Sequence, residues 1–177
     1  MPLIEDGRPA EDSWTSVPDG ELVPGDIPAI ISFERWQAER DSFAGRNTKL
    51  GVRLKGGTLA PAIAADLDRF ALVAVEFPKF RDGRGFSTAR ELRERYGFEG
   101  EIRAVGHVIP DQYLFLKRTG FTSVEAPEGT NLDSWANALT EVSVVYQPGL
   151  AKDDPNPLIQ RWLKRGGETP VQGAAKG

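Results

Sequence analysis

The segment Arg81-Asp82-Gly83-Arg84-Gly85-Phe86-Ser87 holds the residue types best suited to chemistry in this chain. It follows an apolar run, Leu72 to Phe77, and precedes a charged stretch with helical spacing. Gly83 and Gly85 permit tight turns and close approach of backbone to a ligand. A helix opening at Ser87, its expected N-cap, would direct unpaired N–H groups at the loop. Arg81 or Arg84 would then add a bidentate contact to a phosphate, sulfate or carboxylate. The plainer reading is a tight turn whose arginines pair with Asp82, Glu76 or a helix carboxylate. Neither common nucleotide signature is met. The Gly-Lys followed by Ser or Thr of a P-loop is missing, and Thr88 stands where a dinucleotide fingerprint needs a third small residue.

Other residues converge on the same place. Glu76 lies near the end of its apolar strand, where a carboxylate must be paired, hydrogen-bonded or protonated. It could serve as a general base or ligand contact, or bridge to Arg84 or Arg103 and fix the loop. His107, the single histidine, ends the next strand and could transfer protons near neutral pH. Arg103 and Gln112 could support a bound anion, and Asp111 reads as an N-cap. With one His, no Cys and no paired carboxylates at metal-helix spacing, no metal site is expected. The lack of Cys also excludes disulfides, thiol catalysis and cysteine-held clusters within this chain.

The elements that must position these residues alternate. Short strands are expected at Ala29–Ile31, Leu50–Leu54, Ala71–Phe77, Glu101–Ile109 and Ser123–Ala126, with Val142–Tyr146 as a last extended segment. Helices are expected at Phe33–Arg40 (capped by Ser32, with Arg35 and Glu39 paired), Pro61–Leu67, Ser87–Tyr96, Asp111–Arg118 and Leu132–Leu139. Gly97-Phe98 and Gly120-Phe121 each read as a left-handed helix stop whose Phe closes back on Leu92 or Leu116. The class is therefore α/β, with repeated βα units and a mostly parallel sheet. The sheet could be an open sandwich or a partial βα barrel, the chain being too short for a full eight-fold barrel of roughly 200 residues or more.

Residues 27–150 form the expected single α/β domain. Residues 1–26 carry seven acids against Arg8 alone and read as a mobile or loosely draped arm pinned by Trp14. Residues 151–177 read as a tail with a short amphipathic helix at Pro157–Lys164. The net charge of -4 and pI near 5.2 argue against general nucleic-acid binding. No stretch has the length and apolarity of a signal or membrane segment, so a cytoplasmic location is expected. An uncovered sheet edge would favour a homodimer.

The run VEFPKFRDGRGFSTARELRERYGFEGEIRAVGHV, followed by Asp111-Gln112 and Gly120-Phe121, resembles a bacterial family of unknown function. The resemblance extends to Trp14, Phe33–Gln37, Gly51–Leu54 and Val144–Gln147. Members of that family are described as uncharacterised, or as an oxidoreductase of sulfite reduction. The resemblance thus implies an accessory role in assimilatory sulfate or sulfite reduction, with sulfite reductase or the activated-sulfate reductase as partner. It supplies no catalytic residues and no cofactor. The residues show no flavin or nicotinamide motif and no ligand set for siroheme or an iron–sulfur cluster. Two other readings stand beside it: a small enzyme on a phosphorylated or sulfated substrate, with Glu76 or His107 as acid/base, and a non-catalytic protein-binding scaffold.

Overall fold

The computed structural model describes residues 1–79 and 82–139. Arg81, the extended segment expected at Val142–Tyr146 and the helix expected at Pro157–Lys164 lie outside them. The described elements run β1 (Leu3–Glu5), β2 (Arg8–Ala10), β3 (Thr15–Ser16), β4 (Ala29–Ser32), α1 (Phe33–Glu39), β5 (Leu50–Leu54), β6 (Leu72–Phe77), α2 (Arg84–Glu94), β7 (Glu101–Gly106), α3 (Tyr113–Arg118), β8 (Ser123–Glu125) and α4 (Leu132–Ala138). The strands make one eight-stranded sheet in the order β2-β1-β8-β7-β6-β5-β4-β3. From β3 to β8 all neighbours are parallel, while β1 is antiparallel to both β8 and β2.

That order forces the sheet to curl. β2 and β3 lie at opposite edges, yet only Glu11 to Trp14 join them. A flat sheet would hold its edges about 34 Å apart, from seven gaps of about 4.8 Å. The five steps from Ala10 to Thr15 span at most about 17 Å. The result is a curled half-barrel, and the joining strap runs as a chord across its concave side. Of the two closures expected, the partial barrel is the one found.

Strand alternation divides the sheet between two environments. Val52, Leu54, Val73, Val75, Phe77, Ile102, Ala104 and Val124 face a large core shared with Phe33 and Trp36 of α1, Leu92 of α2, Leu116 of α3 and Trp135 of α4. Ile30, Leu72, Ala74 and Val105 face the concave side and form a small cluster capped by Trp14. The helices thus line the convex side, and the N-terminal strap covers the other.

Residues 1–26 are accordingly no loose arm. They supply three strands, and Leu3 and Ile4 are buried. The signal was Asp6-Gly7, a hairpin dipeptide, whose residues take φ of 46° and 75° between β1 and β2. The helix expected at Pro61–Leu67 is instead two 3₁₀ turns, Ala60–Ala62 and Ala64–Arg69. Ile63, at φ -111° and ψ 0°, breaks the run. The tighter winding carries Asp66 to the indole N–H of Trp36 (3.0 Å) and to Arg40 (2.6 Å). The βα repeat is therefore uneven, because the β5–β6 connection holds no α-helix. Both Gly-Phe stops form: Gly97 and Gly120 have φ of 63° and 103°, and Phe98 and Phe121 donate their N–H groups to Leu92 (2.9 Å) and Leu116 (3.1 Å). Among the described residues no helix is long and apolar enough to cross a membrane.

Candidate functional site

The C-terminal ends of β5, β6 and β7 gather most of the polar residues singled out above. In parallel α/β architectures this edge is where binding sites are built, because the loops there are free of the ladder and helix N-termini point toward it. Two glycine turns shape it. Gly57 has φ 90°, and a Cβ added there would stand 2.6 Å from Arg84 Nη1, so the guanidinium lies directly against that turn. The Thr88 hydroxyl donates to the Thr58 carbonyl (3.0 Å), tying α2 to the same loop. Gly85 is set by packing: a Cβ on it would stand 2.7 Å from Phe77 Cζ. It lets the first turn of α2 close onto the end of β6.

The helix begins earlier than the sequence suggested. Gly83 is the N-cap and Arg84 the first helical residue, so Ser87 lies inside the first turn, exposed. Asp82 does the capping instead. Its Oδ1 accepts from the Arg84 N–H (3.2 Å) and Nε (2.9 Å), while Oδ2 accepts from Nη2 at 2.6 Å. The Arg84 guanidinium, and after it the backbone N–H, hold the Asp82 carboxyl down at about 2, and Asp82 in turn raises Arg84. A carboxylate at a helix N-terminus in a bidentate arginine grip is a complete anion contact. Here the protein supplies the anion itself.

Beside this pair the concave rim carries a row of charges. Glu76 pairs with Arg53 of β5 at 3.4 Å, not with Arg84 or Arg103. Register explains it: Arg53 faces Ala74 across the ladder, so Glu76, two residues on, shares its side of the sheet. Lys55 reaches Glu34 at 2.7 Å. Their mutual hydrogen bond lowers the Glu34 carboxyl and raises the Lys55 ammonium. Ser32 donates its hydroxyl to Asp19 at 2.6 Å and accepts from the Arg35 N–H to cap α1. Arg53, Lys55 and Glu34 were missed in the sequence because a strand residue's partner lies one strand away, not nearby in the chain.

Of the remaining candidates, Arg103 is turned away from this loop, while His107 follows the end of β7 at the same edge. Arg103 is 1% exposed, and its guanidinium is gripped by Asp12 (2.8 and 3.0 Å) and Glu101 (2.9 Å), with Glu125 at 3.5 Å. Burial by itself lowers its pKa, but the Asp12 hydrogen bonds and the Glu101 charge outweigh that and leave it raised. Its fork is turned to carboxylates of the strap and sheet instead of to the loop. His107 is exposed, and its N–H donates to the Phe77 carbonyl at 2.8 Å. Gln112 ends a 3₁₀ turn, Pro110–Gln112, that precedes α3. Asp111 lies in that turn without a capping bond, since Pro110 already opens it. A further arginine, Arg93, ties the two Gly-Phe stops together by donating to the carbonyls of Phe98 and Gly120. Among the described residues no group of three or more His, Cys, Asp or Glu could hold a metal ion.

No curated protein sequence matches this chain. The sequence model of a bacterial protein family of unknown function, DUF934, matches residues 51–158, which begin at β5 and include the Gly56-Gly57 turn, the Arg84 loop and α2. With more than half of its length matched, the chain belongs to that family.

Proposed function

We propose that this protein is an accessory factor of assimilatory sulfate or sulfite reduction that binds a small oxyanion at the Arg84 loop. The pathway rests on the resemblance of its Arg-Gly segment to proteins described in that role. The binding reading rests on one observation, the bidentate Asp82–Arg84 pair at the start of α2. Asp82 occupies the position a ligand oxyanion would take, held by the same guanidinium and backbone N–H. An entering sulfate, sulfite or phosphoryl group would displace Asp82 and inherit those donors. Gly57 lets the guanidinium lie against its turn, and Arg84 is 62% exposed. Gly83 and Ser87 flank the position, and Arg81 precedes it in sequence. The proposed setting is the cytoplasm, with a sulfur-assimilating reductase as partner.

Calorimetric titration with sulfite, sulfate, inorganic phosphate and adenylylated sulfate tests this. Replacing Asp82 by Asn removes the internal competitor, so D82N should bind the preferred anion about tenfold more tightly. A folded Arg84→Ala variant should lose binding. Failure of every one of these anions to bind D82N would refute the site, whereas binding without capture of a reductase would refute only the partner.

A further inference from the structure

We propose that the segment Pro157–Arg165 of this chain docks in a groove on the flank of the domain, beside the loop from Pro18 to Ile27. The groove has a volume of about 600 Å³ and is lined by Leu22 and Val23 of that loop and by Ser42, Phe43 and Asn47 beyond α1. Val23 and Phe43 also pack against the main core. Leu22 is 92% exposed and Ile27 37%, so the loop turns two large apolar side chains to solvent. The loop is pinned along its length. Arg35 donates to the carbonyls of Pro18 (3.1 Å) and Glu21 (2.7 Å), Thr48 to that of Gly25 (3.1 Å) and Arg46 to that of Ile27 (2.6 Å). The wall that carries Leu22 is therefore preformed, which lowers the ordering cost of an amphipathic segment laid into the groove.

Chain length and charge choose the occupant. The described residues end at Leu139, the C-cap of α4. The stretch of about 20 residues from there to Leu158 spans at most about 65 Å, against a radius of gyration of about 14 Å for a domain of this size. Every face of the domain is in reach, so the choice falls to chemistry. Leu158, Ile159, Trp162 and Leu163 share one face at helical spacing, and Arg161, Lys164 and Arg165 accompany them with no acid from Pro157 to Arg165. The groove complements that pattern. Glu21, Asp26 and Asp41 are exposed and adjoin its lining residues in the chain. Arg35 is paired with Glu39 at 3.1 Å, so among the described residues that line the groove Arg46 is the one cation left without an ion pair. The rival apolar surface is Phe115, 52% exposed, but α3 there carries Lys117 and Arg118 and no acid. A basic apolar segment is drawn to the first surface and not to the second. This contact is independent of the Arg84 loop and of the pathway proposed above.

The chain has no cysteine, so Gly166→Cys places a single nitroxide label just past the segment in the full chain. The label should broaden the NMR amide signals of Leu22, Val23 and Asn47 severalfold more than those of Ser87 and Phe115. Leu22→Glu and Trp162→Ala, each checked for an unchanged melting curve, should abolish that difference. Uniform broadening across the domain, or a pattern that survives both substitutions, overturns the groove. Broadening centred on Phe115 in place of Leu22 overturns the charge argument and the docking site with it. The effect should also vanish when the nitroxide is carried only by chains without isotope label, mixed with labelled chains that lack it. Full broadening in that mixture would assign the groove to the segment of a second copy and overturn docking within one chain.

Discussion

The convex and concave sides of the sheet are built from alternate residues of the same strands, yet they are sealed by different physics. On the convex side Val73, Val75 and Phe77 meet helices in a largely apolar contact, down to fully buried Trp135 and Leu92, with Asp66 held by the Trp36 indole as a buried polar exception. On the concave side Leu72 and Ala74 give a small apolar patch against which Trp14 packs, and Arg103 adds to the seal through Asp12 of the strap. The apolar seal tolerates local rearrangement because dispersion and desolvation carry no strict direction. The ionic seal holds one register, since a guanidinium fork and a carboxylate fit in few geometries. The concave side also remains partly open at its C-terminal rim, where Arg53, Glu76 and Arg84 reach solvent. A barrel closed by one charged strap leaves polar chemistry at its mouth, and a face closed by helices does not.

Breaking the ionic seal should have the largest effect. Arg103→Ala removes the one cation among Asp12, Glu101 and Glu125 and leaves three partly exposed acids facing one another. A loss of about 3 kcal/mol in urea unfolding is expected from the severed charge-assisted hydrogen bonds of the buried guanidinium. Equal stability of wild type and variant would mean that Trp14 alone holds the strap.

The second effect comes from pH. Tyr113 is fully buried beneath Trp135, with its hydroxyl accepting from the Gly7 N–H at 2.9 Å. Burial raises its phenol from 10.0 to about 12, the Gly7 hydrogen bond opposing this and nearby Asp6 and Glu5 adding to it. The folded state therefore binds the proton more tightly than the unfolded state. Its contribution is complete below about pH 10 and disappears as pH rises through 12, a loss of about 2–3 kcal/mol for two pKa units. Chemical unfolding across that window should show this slope in wild type and not in Tyr113→Phe.

The smallest expected effect tests a residue that serves both sides. Ser32 caps α1 through the Arg35 N–H and donates to Asp19 on the segment that follows the strap. Ser32→Ala should cost about 1 kcal/mol, the usual value of a lost cap. Ser32→Asp should restore the cap but repel Asp19, so a full rescue would show that only the helix contact matters.

The legible parts of the fold share a cause. Strand β5 runs from Leu50 to Leu54 as expected, Ser32 caps its helix, and both Gly-Phe stops close on Leu92 and Leu116. Each depends on residues within about six positions of one another, where side-chain type and spacing act directly. The α2 start was misplaced by three residues because Ser87 is the stronger capping type. Asp82 is by type both a cap and an arginine partner, and nothing local in the sequence separates the two. It performs both tasks.

The sequence by itself determined the α/β class, the mostly parallel strands, the helix stops and the concentration of arginine and glycine at Arg84. Only tertiary structure decided the curl, the strap across it, the Arg53 partner of Glu76 and the burial of Arg103 against Asp12, 91 residues away. Such contacts follow from strand order, which brings together residues whose separation in the chain carries no information about their pairing. A local pattern can therefore specify an element and its polar residues, while the neighbours of those residues emerge only when the sheet closes.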